Sequence, residues 1–252
     1  MKKVQSTCNY CGLGCNLDFF IENNEIIKVS PTENYPVNKG FCCIKGLNLD
    51  KQCTKIKGRK SPLLRNGKNE MIKISWKEGF KTFVKRMTSI QETYGTESVA
   101  FISTGQMTTE EMALLGHVGR NYMGINGDGN TRLCMASAVV AHKQSFGFDS
   151  PPYTLKDVEL SDTIILIGAN PVIAHPILWE RIKNNKDAKI ITIDPRKSET
   201  AINSDIWIDI KPKADLLLFY TLANVLINNG WIENSYIKNY TEGFEDFKSI
   251  GR

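Results

Sequence analysis

The apolar and polar positions of the chain change rhythm at about residue 75. Before that point, residues 16–30 hold two short β-rich runs on either side of Glu22-Asn23-Asn24-Glu25, which predicts a hairpin. Residues 50–75 are Lys-rich, with Gly58, Pro62 and Gly67, and read as a linker or irregular β-segment. A helix is expected over 76–94. Beyond it, apolar runs alternate between strand and helix periods. Strands are expected at Ser98–Ser103, Asp162–Ile167, Lys189–Ile193 and Asp205–Ile210. Between them, Thr108-Thr109-Glu110-Glu111 forms a capping box that opens a helix to about Tyr122. Further helices are expected at Pro176–Asn184 and at Asp215–Asn228, the latter stopped by Gly230. Strands alternating with helices imply parallel sheets with crossover helices, a Rossmann-like α/β architecture over 61–252, preceded by a small β-rich module over 1–60. The sequence stops at Phe247-Lys248-Ser249-Ile250-Gly251-Arg252, after an apparent helix with no closing element, and reads as cut off.

Composition adds exclusions. With 252 residues, 41% hydrophobic, 32 basic and 27 acidic, the chain has a globular profile rather than that of a disordered or coiled-coil protein. The longest apolar candidate, Leu216 to Ile227, is interrupted by Tyr220, Thr221 and Asn224 and falls short of the ~20 residues that span a bilayer. No membrane association is expected. The first residues carry no apolar core of an export signal and no twin arginine, so a cytoplasmic location is expected. The net charge of +5 arises within residues 1–60, where ten Lys or Arg face five Asp or Glu. No aromatics are interleaved with these lysines, so nucleic acid is not the expected partner; an anionic cofactor or an acidic protein fits better.

Six of the seven cysteines fall in the first 53 residues. Cys8-x2-Cys11-x3-Cys15 places three thiols within eight residues, with Gly12 and Gly14 letting the backbone wrap, and a fourth comes from afar at Cys42 or Cys43. Such a three-plus-one supply suits a [4Fe-4S] cubane better than structural zinc, which more often takes two C-x2-C pairs; zinc and free thiols are the alternatives. Spacing cannot choose between Cys42 and Cys43. The unused one and Cys53 read as small buried apolar residues. Cys134 stands alone. With Thr131 as N-cap it lies in a first helical turn, where a thiolate is favoured and can act as nucleophile or soft metal ligand; beside Met135, Ala136 and Val139 it also suits a plain core position.

Two further segments end strands in loops that suit a ligand. A buried strand stops at Gly168-Ala169-Asn170 and resumes as helix through His175-Pro176, and a neighbouring strand ends in Asp194-Pro195-Arg196. Carboxyl ends of parallel strands are where nucleotides bind, although neither G-x-G-x-x-G nor a P-loop is present and ordinary turns would look the same. His117, His142 and His175 show no metal-ligand spacing.

These motifs, taken in order from about residue 5 to the end, resemble the molybdopterin-dependent oxidoreductases that carry a bis-(molybdopterin guanine dinucleotide) molybdenum cofactor and an N-terminal [4Fe-4S] cluster. Gly40-Phe41-Cys42-Cys43-Ile44-Lys45-Gly46 matches the family's C-x-K-G frame. The resemblance implies Cys43 as the fourth cluster ligand beside Cys8, Cys11 and Cys15, and Lys45 as a catalytic residue between cluster and pterin. It implies cofactor contacts from Gln106 (in Gly105-Gln106), Asn130, Gly168, Ala169, Asn170, His175, Asp194, Arg196 and Asp215, and Cys134 as catalytic ligand of molybdenum. Lys213-Ala214 stands where the family has Gly-Thr before the acid.

The stretch Arg132 to Val139, and Phe146 to Pro152, resemble the nitrate reductases. Formate dehydrogenases of the cysteine type resemble it too, but carry a His where this chain has Met135. The resemblance therefore implies reduction of nitrate to nitrite, with electrons from a donor such as ferredoxin or a flavoprotein subunit. Formate oxidation, or a truncated non-catalytic cluster module, are the alternatives. Catalytic subunits of the family are well over twice this length, which implies a fragment.

Overall fold

The computed structural model describes residues 1–55 and 61–250. Residues 56–60, with Gly58 of the expected linker, lie outside them, as do the side chain of Cys53 and the last two residues. The fold is mixed α/β with a small β-rich N-terminus and parallel sheets, and the chain divides after Leu155 into two compact units.

The first unit opens with an antiparallel sheet of β1 (Lys2–Thr7), β2 (Asn16–Glu22) and β3 (Glu25–Pro31). Asn23 and Asn24 form the two-residue turn between β2 and β3, both with positive φ, which Asn tolerates and a tight hairpin demands. Leu17 and Val29 of this sheet close a small core with Leu49. The short helices α1 (Ile44–Leu47) and α2 (Leu49–Lys55) follow.

Two buried polar side chains organise this module. Asn38 is almost fully buried; its Oδ1 accepts the Asn16 N–H at 2.9 Å, and its Nδ2 donates to the carbonyls of Asn16 and Phe41. The segment bearing Cys42 and Cys43 is thereby fastened beside Cys15. Asp18, 4% exposed, receives Lys3 Nζ at 2.7 Å, Gln5 Nε2 at 3.0 Å and Thr32 Oγ1 at 2.9 Å.

The unit continues with a hairpin of β4 (Leu63–Arg65) and β5 (Met71–Lys73), then α3 (Trp76–Tyr94), whose N-cap Ser75 Oγ accepts from Glu78 N. The strand β6 (Ala100–Ser103), helix α4 (Thr109–His117), one π-helical turn over 118–122, strand β7 (Asn126–Gly129) and helix α5 (Asn130–Phe146) complete it. Both halves of the capping box at Thr108 and Glu111 form. β6 and β7 are parallel partners. The Asn126–Gly129 segment, for which no strand was expected, is thus a strand; a Cβ at Gly127 would overlap the Phe101 ring, so the pairing selects glycine there despite its low β-propensity.

In the second unit, α6 (Leu155–Leu160) leads to β8 (Thr163–Ile167), α7 (Pro171–Ala174), α8 (Pro176–Asn184), β9 (Lys189–Ile193), α9 (Glu199–Ile202) and β10 (Ile206–Ile208), followed by α10 (Asp215–Asn228), α11 (Asn234–Tyr240) and α12 (Phe244–Ile250). The strands form one parallel sheet in the order β10-β9-β8. Trp179, Ile182 and Ile190 form the core, with Ile164 and Leu166 packed on it. β8 is half-buried on that face, at Ile164 and Leu166, while Ile165 and Ile167 on the other are exposed, contrary to the expected buried strand.

Open apolar faces are general. The structure exposes 18601 Å², whereas two independent compact bodies of these lengths would together expose roughly 13,500 Å² by the surface–mass scaling of folded monomers. The apolar side of α3 lines an open groove of about 680 Å³ with Pro62, Leu63, Phe80, Phe83 and Ile90. No helix among the described residues is long and apolar enough to cross a membrane.

Asp18 gives a test of the N-terminal module. Burial alone would raise its carboxyl, but hydrogen bonds from Lys3, Gln5 and Thr32 outweigh it and hold the group below the usual carboxylate value. Such a group stabilises the fold above the unfolded carboxyl pKa of about 3.9 and loses that contribution as pH falls through the lower folded value. Asp18→Asn is expected to cost about 1–3 kcal/mol near neutrality. Melting curves of the two proteins should converge in acid below the folded value; a constant gap across that range would contradict the assignment.

Candidate metal and cofactor site

The cysteine loop sits at the edge of the N-terminal core, where Cys8, Tyr10 and Cys42 pack on Leu17, Val29 and Leu49. The Cys8 N–H donates to the Cys15 carbonyl at 2.8 Å and closes the loop at its ends. Gly14 takes a φ of +82°, so a side chain there would be strained. Cys8, Cys11, Cys15 and Cys43 are free thiols within electrostatic reach of one another. Burial first, and then repulsion from Cys11, Cys8 and Cys43, pushes the Cys15 thiol up to about 11.

That environment fits a cationic metal group. The four candidate donors are all sulfur, none of them has closed as a disulfide, and positive charge among them would reverse the repulsion that adds to the rise of Cys15. Among the described residues no three Cys, His, Asp or Glu side chains converge as a mononuclear ion demands. In a cubane each thiolate meets its own iron corner, so the sulfurs stand farther apart. Cys42 is the neighbouring thiol outside the expected set of four. It packs against the core, and burial, followed by Cys43, Cys8 and Cys15, pushes it up to about 12. Its Sγ lies where a Cβ on the buried Gly46 would fall, 2.5 Å away, and Cys8 Sγ would be 3.6 Å from the same point. The glycine after Lys45 therefore makes room for the Cys42 sulfur. Lys45 itself is exposed on α1, two residues beyond Cys43.

The second group of expected residues in this unit centres on α5. The helix begins at Asn130 after Gly129, not after an N-cap at Thr131, so Cys134 lies in the second turn, beyond the reach of the first free N–H groups. Cys134 is exposed rather than part of a core. Asn130 Oδ1 accepts the Gly105 N–H at 2.7 Å, and Gln106 Nε2 donates to the Tyr10 carbonyl at 2.7 Å. Asp128 accepts from its neighbour Gly129 N at 2.8 Å and from Arg132 Nε at 2.6 Å; those two bonds hold its carboxyl below the usual range. Sequence reasoning passed over both Asp128 and Tyr10.

In the second unit the loops after β8, β9 and β10 leave the same carboxyl edge of the parallel sheet. Gly168, with φ of +54°, donates its N–H to the Ile193 carbonyl, and Asp194 N donates to Ile208. Ala169 is half-buried between Gly168 and Asn170. Asn170 has both ends of its amide engaged: Oδ1 accepts from Thr200 N and Oγ1, and Nδ2 donates to Glu199 Oε2 at 2.7 Å. Asp194 Oδ1 accepts Arg196 N at 2.8 Å, and Arg196 lies 3.6 Å from Glu199. Arg196 and Asp194 thus face the edge with their side chains partly free for a ligand, whereas Asn170 braces the loop. His175 caps α8, and Asp215 opens α10.

Lys213, in the place where the resemblance expects glycine, adopts φ of +72°. The backbone keeps the glycine conformation without the glycine. Lys213→Gly is expected to stabilise the second unit by about 0.5–1 kcal/mol, the left-handed penalty less the extra entropy of a glycine in the unfolded chain; an unchanged or lower denaturation midpoint would contradict this. In the first unit, Cys15→Ser is expected to reduce bound iron and sulfide to background, while Cys42→Ala retains them. Iron loss in Cys42→Ala would transfer the fourth-ligand role from Cys43.

Comparison with known proteins identifies the family of both regions. Residues 1–55 match the molybdopterin oxidoreductase Fe4S4 domain, and residues 60–250 match molybdopterin oxidoreductase. A nitrate reductase of Symbiobacterium thermophilum is 35% identical over 248 residues, covering 96% of this chain and 33% of the relative. The alpha subunit of a formate dehydrogenase from Methanocaldococcus jannaschii is 33% identical over 252 residues, covering 99% and 37%. The chain therefore spans about a third of the length of these curated relatives. Acetylene hydratase from Pelobacter acetylenicus shares the fold, with a TM-score of 0.77 at 22% identity over 99% of this chain and 35% of its own. The thiol loop, the parallel sheets and both domain matches agree: the chain belongs to the molybdopterin oxidoreductases, whose domains here are those of a molybdenum–molybdopterin cofactor and a [4Fe-4S] cluster.

Proposed function

We propose that the protein of which this chain forms part reduces nitrate to nitrite, NO3⁻ + 2H⁺ + 2e⁻ → NO2⁻ + H2O. The observation that carries this reading is Met135, next to the exposed Cys134 on α5. Formate oxidation must take a hydrogen from carbon, which calls for a group able to accept it beside the metal ligand. A thioether has no such basicity. Nitrate reduction abstracts nothing from carbon and draws its protons from solvent.

In this reading Cys134 is the soft sulfur ligand of molybdenum. When bound, the molybdenum cofactor supplies two-electron oxygen-atom chemistry, and the cluster delivers electrons singly. Cys8, Cys11, Cys15 and Cys43 hold the cluster. Lys45 adds positive charge beside it, which favours the reduced, more negative form. Gln106 and Asn130 order the loop and helix that carry the molybdenum ligand. Asp128 holds Arg132 at the start of that helix, so this guanidinium is committed to the protein. Gly168, Ala169, Asp194, Arg196, His175 and Asp215 line the sheet edge that would receive a guanine dinucleotide arm, with Asn170 as brace. The excess basic charge of residues 1–60 suits an acidic electron donor such as ferredoxin, with a flavoprotein subunit as the alternative.

Formate oxidation is the second reading, because the formate dehydrogenase relative is nearly as similar as the nitrate reductase. Assay of the whole protein with reduced donor and nitrate, and separately with formate and an oxidised acceptor, decides between them. Nitrate turnover is expected, and Cys134→Ser is expected to abolish it while leaving the visible absorption of the cluster intact. Formate turnover in place of nitrate, or nitrate turnover retained in Cys134→Ser, would overturn the proposal.

A further inference from the structure

Tyr10 lies inside the Cys8–Cys11 loop and is engaged from two sides. Its backbone amide offsets part of the rise that burial imposes on the Cys8 thiol, and its carbonyl accepts Gln106 Nε2 at 2.7 Å across 96 residues of sequence. The loop that carries Gln106 is itself tied down. Gln106 N donates to Thr104 Oγ1 at 3.2 Å, and Gly105 N donates to Asn130 Oδ1 at 2.7 Å. Asn130 is the first residue of α5, four before Cys134. Just upstream, Ser103 Oγ donates to the Asp128 carbonyl at 3.3 Å, and Asp128 fixes Gly129 N and Arg132 Nε. An unbroken run of hydrogen bonds and short backbone links therefore leads from Tyr10, the residue before Cys11, through Gln106 and Asn130, to the helix of Cys134.

We infer that Gln106 is a positioning residue that fixes the cluster loop against the loop and helix of the molybdenum ligand, acting through Tyr10 on one side and Asn130 on the other. This rests on the reading that the four thiols hold the cluster. A primary amide suits that role because it is long enough to reach a carbonyl in another loop, it carries no charge, and its bond polarises the peptide leading to Cys11. By holding Tyr10 in place it also keeps the backbone amide that offsets the rise of the Cys8 thiol, and hydrogen bonds to cluster sulfurs raise cluster potentials. Gln106 is exposed, so its replacement removes a tether rather than a piece of core.

The test uses the cluster-loaded whole protein. Gln106→Met keeps length and removes the donor; Gln106→Lys keeps an N–H donor of similar reach. Gln106→Met is expected to move the midpoint potential of the cluster to more negative values, change the paramagnetic spectrum of its reduced state, and speed chelator-driven bleaching about tenfold, the effect usual for a lost outer-sphere contact. Gln106→Lys is expected to restore resistance to the chelator. Asn130→Ala should cause the same changes, and the double variant Gln106→Met with Asn130→Ala should fall short of their sum, because both act along one path. Circular dichroism controls for folding. An unchanged spectrum and potential in Gln106→Met, or full additivity in the double variant, would overturn the inference. Failure of the wild-type protein to take up iron would instead overturn the cluster assignment on which the inference rests.

Discussion

Several sulfurs brought within electrostatic reach in a half-buried loop repel one another as soon as they ionise, and the N-terminal unit is arranged around that constraint. The closed Cys8–Cys15 turn, Asn38 fastening the Phe41 segment to Asn16, and Gly46 clearing space for Cys42 all act to hold thiols close. None of these devices lowers the cost of bringing the sulfurs together. Burial and mutual repulsion still push Cys15 and Cys42 well above an ordinary thiol. Thiols held this way ionise readily only against a cation at the centre, and it is the match of residues 1–55 to an Fe4S4 domain that makes that group a [4Fe-4S] cluster. The basic excess of residues 1–60 works in the same direction, since the loaded cluster retains net negative charge.

Much of this was legible in the sequence because it depends on spacing and period. Helices α3, α8 and α10 and strand β9 fall where the apolar pattern places them, and the capping box at Thr108 starts α4 as expected. Segments whose conformation is imposed by a partner were not legible. β1 is exposed at every position except Val4, so it has no inward face to betray a strand; its register comes from β2 and the Asp18 hydrogen bonds. β7 reads Asn-Gly-Asp-Gly, turn-like in isolation, and becomes a strand because β6 pairs with it and Phe101 fills the space over Gly127. At α5 the expected Thr131 cap gives way to a start at Asn130, whose side chain is spent on Gly105.

The candidate site shows the same division. The nearness of the N-terminal cysteines and the three strand-end loops at one sheet edge followed from motif and topology. What each loop residue does could not follow, because it depends on neighbours far along the chain. Asn170 looked like a ligand contact and is bound on both sides by Glu199 and Thr200. Lys213 departs from the expected glycine but keeps its positive φ, so the turn before Asp215 survives the change of residue. The backbone path, rather than the side chain, is what that position preserves.

The surface indicates where stability must come from. Helix α5 carries small and apolar residues, with Leu133 and Val140 exposed, and β8 offers Ile165 and Ile167 to solvent. A helix apolar on several sides is normally buried on several sides, and a two-stranded parallel pair such as β6–β7 lacks the cover that parallel sheets have. Hydrophobic burial within the chain therefore contributes less than its length would suggest, and the polar ties become proportionately more important for local order. This is why the Tyr10–Gln106 and Gly105–Asn130 bonds matter. Where few buried side chains fix α5, a hydrogen-bonded loop is the element that sets the direction in which Cys134 faces.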